Sequence, residues 1–428
     1  MPDNKETLLV EPTITYTPNI IKVIGVGGGG GNAVGQMYKE GIEGVRFLVA
    51  NTDQKALEDS IVPDKLQMGP GLGAGGRPEI GRKYAEESLK AINAELSDDV
   101  KMVFITAGMG GGTGTGASPI IAREAKKRGI LTVGVVTLPF LFEMPKQIDK
   151  ALDGLEALSD EVDAMLVINN QRLYDIYAEQ SVLNAFKKAD MVLSTAVRSI
   201  VEIINMRGKI LLDFRDINNV LKDGGVAVIS TGYGRGEGRL SRALDDAIYS
   251  PLLNNNDVYH SQKIVVRITC SSKTEHLLRM EEFGELNTFM ERFRPDIFTK
   301  YGLDFDDSLD DQLKVTVLAS GFRLAGKDKK NQEVEEIPQM ELDEKANRRL
   351  LNYPELSRDK KGRTIKRRPK SYIFSLEDLD NEEILNKIES VPTAKRTSAD
   401  LASLCTASST IEMSEPQTTQ DAIIFGQE

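Results

Sequence analysis

The sequence predicts an α/β protein: a doubly wound parallel sheet, then a long central helix and a smaller α+β domain. Three observations lead to this prediction. Short apolar runs alternate with helical patterns through the first half of the chain, as in parallel strands joined by helices. Glycine-rich runs at 25–32 and 107–116 follow two of those apolar runs. The composition changes near residue 326, where a charged stretch replaces the periodic pattern.

Each element has its own signal in the sequence. Apolar and β-branched residues predict the strands, spacing of three and four predicts the helices, and residues 181–206 are long enough to connect two domains. The first domain has predicted strands at 20–26, 45–50, 103–106, 131–137 and 164–168, and predicted helices at 32–40, 78–96 and 120–128. The second, expected to be four-stranded, has predicted strands at 226–230, 263–269 and 313–318, and predicted helices at 237–249 and 280–293.

These patterns divide the chain into seven parts. Residues 327–370 are charged, poor in aromatic residues and without regular periodicity, which predicts a disordered linker with a basic run at 358–370. The predicted parts are a flexible extension (1–18), the glycine-loop domain (19–182), a central helix (183–207), an α+β domain (208–326), the linker (327–370), an amphipathic segment (371–395) and a disordered tail (396–428).

Composition and charge exclude several classes of protein. A net charge of −11 argues against general nucleic-acid binding. No apolar stretch approaches the roughly 20 residues that span a bilayer, and the N-terminus lacks the core of a signal peptide. Two cysteines and two histidines give no disulfide framework, zinc spacing or histidine-based catalytic triad. We therefore expect a cytoplasmic protein without a metal site built from its own side chains.

The glycine runs predict a site for a nucleotide. Glycine lets successive backbone N–H groups converge on one anion at a helix N-terminus, and we expect the hydroxyls of Thr113 and Thr115 to add to that grip. The run at 25–30 fits G-x-G-x-x-G, with Asp53 about twenty residues on, so a nicotinamide-dependent oxidoreductase is a serious alternative.

The number of glycine runs argues against a dinucleotide. A third run lies at 71–76, and several loops around one sheet suit a chain of two or three phosphates. The Gly-Lys-Ser/Thr signature of a P-loop is absent and the opening loop has no lysine. The phosphate charge would then be met by backbone N–H groups and by Mg²⁺ bound through the phosphates.

Several motifs resemble those of one family. GGGTGTG at 110–116 resembles the signature of the tubulin superfamily. IKVIGVGGGGGN at 21–32, NTD at 51–53, GLGAG at 71–75 and VTLPF at 136–140 are similar, in order and spacing, to the bacterial FtsZ family. The resemblance covers about residues 20–325 and implies a tubulin-like fold that binds GTP and GDP.

The resemblance also implies roles for individual residues. Ala74, Gly75 and Gly76 would sense the γ-phosphate, and Glu143 would contact the ribose. Asp190 would accept from N1 and N2 of guanine, which distinguishes guanine from adenine. The remaining residues expected to bind nucleotide are Gly28, Gly29, Gly30, Gly31, Asn32, Gly110, Gly111, Gly112, Thr113, Gly114, Thr115, Gly116, Gln147, Asn170 (to guanine) and Phe186 (stacked on the base).

The motif LLDFRD at 211–216 occupies the family's catalytic loop. The resemblance implies that Asp213 and Asp216 position the attacking water in the nucleotide site of the next subunit. Two positions depart from the family pattern. Leu211 stands where the family has asparagine, so either slower turnover or a rearranged loop is expected. Gln147 stands where the family has arginine, which removes a charge near the nucleotide.

The function implied by the resemblance is a GTPase that polymerises head-to-tail into the cytokinetic ring at the division site, at midcell, with GTP hydrolysed between subunits. A non-hydrolysing structural polymer is a further alternative because of Leu211 and Gln147. Its expected partners are other copies of itself and, through the segment at 371–395, membrane-tethering and regulatory division proteins. Nucleic acid is not an expected partner, and the membrane is contacted only indirectly.

Overall fold

The structure, a computed structural model, describes residues 20–176, 181–205, 208–249, 258–322, 344–353 and 356. One compact unit takes Met1–Lys327 and Arg348–Pro354, and a second takes Asp328–Asn347 and Glu355–Glu428. Of the second unit, only residues 344–347 and 356 are described. The predicted parts at 1–18, 371–395 and 396–428 lie outside the described residues.

Strands and helices alternate through the first unit. Its strands are β1 (Ile21–Val26), β2 (Val45–Asn51), β3 (Lys65–Gln67), β4 (Met102–Gly108), β5 (Leu131–Leu138), β6 (Ala164–Asn169), β7 (Gly225–Gly234), β8 (Lys263–Cys270), β9 (Phe298–Phe305) and β10 (Leu313–Phe322). The helices of the described chain are α1 (Gly27–Lys39), α2 (Gln54–Glu58), α3 (Pro78–Glu87), α4 (Leu89–Glu95), α5 (Thr113–Lys127), α6 (Pro145–Ser159), α7 (Asn170–Ile176), α8 (Val182–Asn205), α9 (Phe214–Leu221), α10 (Arg239–Ile248), α11 (Met280–Met290) and α12 (Glu344–Asn352).

All ten strands form one sheet in the order β3-β2-β1-β4-β5-β6-β7-β10-β8-β9. The pairs from β3 to β7 are parallel, whereas β10 is antiparallel to both of its neighbours. The doubly wound parallel sheet predicted from the sequence is therefore confirmed. The α+β part does not build a separate sheet, because β7 pairs with β6 through the start of each strand, Ala164 opposite Gly225.

Three apolar clusters fill the space between helices and sheet. The largest packs α1, α8 and α9 against one face and includes side chains from both halves of the sheet, such as Phe104 and Val265. A second cluster packs α5 and α6 against the opposite face of β1, β4 and β5. A third surrounds α10 and α11 over the last four strands. The first cluster thus makes the two halves share a core.

The glycine-rich helices begin earlier than the sequence pattern predicted. Helix α1 starts at Gly27 rather than residue 32, and α5 starts at Thr113 rather than residue 120. Glycine and threonine are weak helix formers, so propensity placed these first turns in loops. The helix predicted at 78–96 is two helices, since Ser88 leaves helical geometry between α3 and α4. The short β3 and the partly exposed β9 were not predicted.

Glycine is needed where these helices meet the strands. A Cβ on Gly30 would lie 2.1 Å from the carbonyl oxygen of Thr106, and one on Gly116 would lie 2.0 Å from that of Pro78. No side chain fits at either position, because backbone packs directly on backbone. At Gly28 and Gly111, by contrast, a Cβ meets nothing within 4 Å.

Part of the predicted linker has regular structure. Residues 344–352 form α12, and Tyr353 beyond it is fully buried in the second cluster. The prediction of disorder over 327–370 is therefore wrong for 344–353; the remainder, apart from Leu356, lies outside the described residues. In the described residues, no helix has the length and apolar character needed to cross a bilayer.

The glycine packing leads to a first prediction. Gly116→Ala is expected to lower the free energy of unfolding by about 1–3 kcal/mol, because the methyl group forces α5 away from α3. Gly111→Ala is the matched control and should change it by less than about 0.5 kcal/mol. Urea unfolding of the nucleotide-free protein measures both. Equal stability of the two variants would contradict this account of the packing.

Candidate functional site: the glycine loops and the facing end of α8

The first two glycine runs meet at the carboxyl ends of β1 and β4. A Cβ on Gly27 would lie 2.8 Å from the backbone nitrogen of Gly114, and one on Gly29 would lie 3.3 Å from the Cα of Gly108. The N-termini of α1 and α5 therefore lie side by side, with their free backbone N–H groups at one edge of the sheet. Two helix N-termini at one place create a positive potential without any basic side chain.

The third run closes around the start of α5. A Cβ on Gly112 would lie 2.8 Å from the Cβ of Ala74 and 2.9 Å from the backbone nitrogen of Arg77. Gly75 and Gly76 have positive φ angles of 56° and 68°, and a Cβ on either would meet nothing within 4 Å. Lys150 Nζ donates to the carbonyl of Gly76 over 2.7 Å, which ties this loop to α6.

Four glycines face open space while their neighbours are tightly packed. Gly28, Gly75, Gly76 and Gly111 come from all three runs, and a Cβ on any of them meets nothing within 4 Å. Glycine there is unnecessary for packing and leaves the backbone accessible to a ligand. The arrangement is a cradle that fits a chain of phosphates.

The threonine hydroxyls of the second run make hydrogen bonds within the protein. Thr113 Oγ1 lies 2.6 Å from Thr52 Oγ1, and Thr115 Oγ1 accepts from the backbone N–H of Gly110 over 2.8 Å. These bonds hold the loop in shape, and the expectation that both hydroxyls strengthen the phosphate grip stays a prediction. No role was predicted for Thr52, although it is the central residue of the NTD motif and directly follows β2.

Two other predicted residues lie at the edge of the first run. A Cβ on Gly31 would lie 3.2 Å from Cγ1 of Val49, so Gly31 has a packing role. Asn32 is exposed on α1. Neither observation assigns a ligand contact.

An aromatic cluster lies beside the cradle, where α8 begins. The rings of Phe140 and Phe142 are stacked with centroids 4.9 Å apart, and the ring of Phe186 lies 5.1 Å from that of Phe140, edge to face. Phe186 and Phe142 remain 39% and 53% exposed. Apolar rings left open beside a phosphate cradle suit a planar base.

Two polar side chains, one on α8 and one at the start of α7, are largely removed from solvent. Burial raises the pKa of Asp190, one turn after Phe186, to about 6. Asn170 is buried, and its side-chain oxygen has no hydrogen-bond partner. Unpaired buried polar atoms are costly, and a ligand that bonds to them recovers that cost.

Glu143 and Gln147 lie on the loop and helix that follow β5. Glu143 Oε1 accepts from the backbone N–H of Phe140 over 2.9 Å, and burial nevertheless raises the pKa of this carboxyl. Gln147 packs beside the second run, since a Cβ on Gly110 would lie 3.0 Å from its carbonyl oxygen. Met144, between them, has a φ of 75°, which is strained for a residue with a side chain.

Asp213 and Asp216 lie at the other end of the molecule. Helix α8 leaves the cradle at Phe186, and its last residue, Asn205, donates to the carbonyl of Glu43, just before β2 begins. Beyond α8, the two aspartates form a capping box on α9: the N–H of Asp216 donates to Asp213 Oδ1 over 3.0 Å, and the N–H of Asp213 donates back to Asp216 Oδ2. Asp216 also pairs with Lys300 at 3.2 Å.

The described residues contain no group of three or more His, Cys, Asp or Glu side chains placed to hold a metal ion.

Comparisons with known proteins identify the family of this chain. Residues 20–178 match the Tubulin/FtsZ family GTPase domain, residues 225–323 the FtsZ family C-terminal domain, and residues 366–411 a further model described as FtsZ, C-terminal. The cell division protein FtsZ of Porphyromonas gingivalis is 43% identical over 408 residues, 92% of this chain and 88% of its own length. That of Pseudomonas aeruginosa is 45% identical over 309 residues, 71% of this chain and 77% of its own.

Solved structures extend the similarity to three dimensions. An empty FtsZ dimer from M. jannaschii has a TM-score of 0.64 at 38% identity and covers 70% of this chain and 88% of its own. CetZ2 from Haloferax volcanii, a GTPγS-bound protofilament, has a TM-score of 0.59 at 18% identity and covers 70% of this chain and 92% of its own. At that identity the similarity supports the fold alone. The nicotinamide oxidoreductase alternative is thereby ruled out, because the matching domain is a GTPase domain. The chain belongs to the FtsZ family of tubulin-like cell-division GTPases.

Proposed function

We propose that this GTPase assembles head-to-tail into filaments and hydrolyses GTP between successive subunits of the division ring. The observation that carries the proposal is the separation of the glycine cradle from Asp213 and Asp216. The cradle lies at the carboxyl ends of β1 and β4, and the aspartates follow α8, which ends near the amino end of β2. From Asp190 to Asn205, α8 alone spans about 22 Å. One chain cannot bring these groups together, whereas the end of one copy placed on the cradle of the next can.

The ends of the molecule are suited to such a contact. Beside the cradle, Leu72 is 87% exposed and Met144 67% exposed. On the loop before Asp213, Ile210 and Leu211 are also exposed. Large apolar side chains left in water at both ends favour burial against another copy. A contact between two different surfaces of identical molecules generates an open filament rather than a closed dimer.

In the proposed complex, Gly28–Gly31, Ala74–Gly76 and the residues of 110–116 hold the phosphates through backbone N–H groups. Phe186 stacks on the base, the Asp190 carboxylate accepts from guanine N1–H and N2–H, and Asn170 bonds the base edge. The Glu143 carboxylate accepts a hydrogen bond from a ribose hydroxyl. Gln147 lies where the family has an arginine. The open glycines and the unpaired Asn170 oxygen support these assignments.

Hydrolysis then depends on the neighbour's carboxylates. Asp213 is exposed and accepts a hydrogen bond from a water molecule, which it orients toward the γ-phosphate; Asp216, held by Lys300 and the capping box, fixes the loop. Orientation contributes more than base strength in phosphoryl transfer. Mg²⁺, when bound, neutralises charge that develops on the phosphates. After hydrolysis the contact loses its γ-phosphate, which weakens the filament.

Leu211 favours a second candidate, a polymer that hydrolyses GTP slowly or not at all. Its side chain is 64% exposed beside Asp213 and offers no hydrogen bond to water or phosphate. This candidate keeps GTP-dependent assembly and predicts little release of phosphate.

The C-terminal segment at 371–395 is proposed to bind membrane-tethering and regulatory division proteins, at midcell in the cytoplasm. The match of residues 366–411 to a model described as FtsZ, C-terminal supports a family role for this part of the chain.

A shared catalytic site is tested by mixing two inactive variants. Asp213→Asn keeps an efficient helix cap, so the fold should be retained while phosphate release falls about a hundredfold. Asp190→Ala should bind GTP poorly but keep its own Asp213. Mixing them should restore part of the turnover, because the Asp213 of one variant meets the GTP of the other. A mixture as inactive as its components, with both variants folded, would argue against the shared site.

The raised pKa of Asp190 predicts a pH dependence of GTP affinity. The carboxylate must be ionised to accept two guanine N–H bonds, and it takes up a proton as the pH falls through about 6. GTP therefore binds with full affinity above that pH and more weakly below it. The Kd should be about tenfold higher at pH 5 than at pH 7. Equilibrium titration of the Mg²⁺-loaded nucleotide measures the effect.

Two variants assign the titration to a residue. Glu143→Gln is the control for the half-buried Glu143 carboxyl, whose pKa burial also raises, and it should keep the pH step. Asp190→Asn should abolish it and prefer xanthosine triphosphate over GTP, because the amide donates to the xanthine C2 carbonyl. A step that persists in Asp190→Asn would contradict the assignment.

Leu211→Asn tests the second candidate, the polymer that hydrolyses GTP slowly or not at all. The site is exposed, so the fold is unaffected, and a new hydrogen bond to the attacking water should raise turnover about tenfold. Leu72→Asn, at another exposed leucine, is the control and should not raise it. Phosphate release from assembled protein is the measurement, and an unchanged rate in Leu211→Asn would show that leucine there is not limiting.

A further inference from the structure

A short stretch of the predicted linker belongs to the first compact unit. Residues Arg348–Tyr353, hereafter the anchor segment, form the end of α12 and the residue after it. They pack on the glycine-loop half of the unit, although about 25 residues separate them from the end of β10.

The first part of the anchor segment is held by charge. Arg349 makes a two-pronged contact with Asp149, with Nε to Oδ1 at 2.6 Å and Nη2 to Oδ2 at 3.1 Å. Arg348 bonds Glu156 at 2.9 Å and also Asp153. The three carboxylates are spaced by four and three residues on α6 and so share one face of that helix. Both arginine side chains are mostly buried.

The second part is held by a tyrosine in an apolar slot. Tyr353 is fully buried among the side chains between α5, α6 and the sheet, and its hydroxyl donates to the carbonyl of Pro139 over 2.8 Å. The carbonyl of Asn352 accepts from Asn169 Nδ2 over 2.7 Å. A buried tyrosine ring with a satisfied hydroxyl is typical of an anchor in a binding pocket.

Both polar contacts of this second part lie next to residues of the nucleotide site. Pro139 directly precedes Phe140, whose N–H bonds Glu143. Asn169 directly precedes Asn170, and its own Oδ1 accepts from the N–H of Gln171. The anchor segment therefore contacts the ends of β5 and β6 at the two points where the ribose and base loops begin.

We propose that the acidic face of α6 and the tyrosine slot form a peptide-docking site that holds the anchor segment and positions the loops of Glu143 and Asn170 for GTP. The second half of this proposal rests on the nucleotide roles proposed above. The ligand class is a peptide with two adjacent arginines and a tyrosine four residues after the second.

The occupant is the segment of the same chain. The 26 residue steps from Phe322 to Arg348 can span at most about 90 Å. The radius of gyration expected for a unit of this size is about 19 Å, so the connection is long enough for the segment to reach the site on its own chain. A tethered segment also has an effective concentration in the millimolar range, which favours it over the segment of another copy.

Docking is tested first without nucleotide, by trypsin on the full chain. Arginines bound to carboxylates cannot enter the protease, so cleavage after Arg348 and Arg349 should be slow relative to cleavage in the basic run 358–370. Asp149→Asn combined with Asp153→Asn should speed it about tenfold. Glu86→Gln combined with Glu87→Gln removes two exposed carboxylates from α3 and is the matched control, expected to match wild type.

GTP affinity is measured next in three further variants. Tyr353→Ala should weaken it about three- to tenfold, the value of one lost positioning hydrogen bond. Arg349→Asp should do the same without emptying the slot, which guards against a folding defect in Tyr353→Ala. Adding Asp149→Arg to Arg349→Asp exchanges the charges of the pair and should restore both affinity and protection of Arg348.

Each outcome decides a part of the proposal. Equal cleavage of wild type and the Asp149/Asp153 variant would overturn the docking site. Protection from trypsin that is lost on dilution would show that the segment of a second copy occupies the site, and would overturn the same-chain assignment. Faster cleavage after Arg348 with unchanged GTP affinity would overturn the positioning role alone. If wild type binds no GTP, the positioning role and the proposed function both fail, while the cleavage rates still judge docking.

Discussion

Direct contact of backbone with backbone, at the start of α1 and α5, is the constraint on which the rest of this structure depends. Gly30 lies against the carbonyl of Thr106, Gly116 against that of Pro78, and Gly27 against the nitrogen of Gly114. No other residue type fits these approaches. They bring two helix N-termini to one point of the sheet, and so produce the positive edge that replaces basic side chains. The packed glycines therefore fix where the two helices begin. The open glycines between them, such as Gly28, leave backbone N–H groups accessible to a ligand.

The second organising feature is the junction between the two halves. β6 and β7 pair through only three residues each, and Asp163, just before β6, bonds to both sides of this short ladder. Its carboxylate accepts from Thr132 of β5 and from Lys222 Nζ, and its carbonyl accepts from Gly224. The apolar cluster under α8 and α9 continues across the same boundary. The two halves are therefore one packed body, although their strand patterns differ.

The sequence predicted most of the architecture and the linear motifs of the site, because glycine runs and apolar periodicity are local signals. It failed where tertiary contacts decide. Propensity could not place Gly27 and Thr113 in helices, since the contacts that stabilise those turns come from other strands. The internal bonding of Thr113 and Thr115 depends on Thr52 and on loop curvature. The burial that raises the pKa of Asp190 is likewise invisible in a linear pattern. Tyr353 stood in a charged stretch, and only its slot beside Pro139 shows that it is a core residue.

Helix α8 also has a mechanical consequence. Its 24 residues make a rod of about 36 Å, with Phe186 and Asp190 near one end and the loop to Asp213 at the other. A tilt of one degree about the first end displaces the far end by about 0.6 Å, and three degrees by about 1.9 Å, on the scale at which catalytic geometry is gained or lost. Because closely packed cores resist gradual deformation, such a tilt moves the rod as a whole. The length of this helix thus makes it a lever arm, in which a small tilt at one end gives a larger displacement at the other.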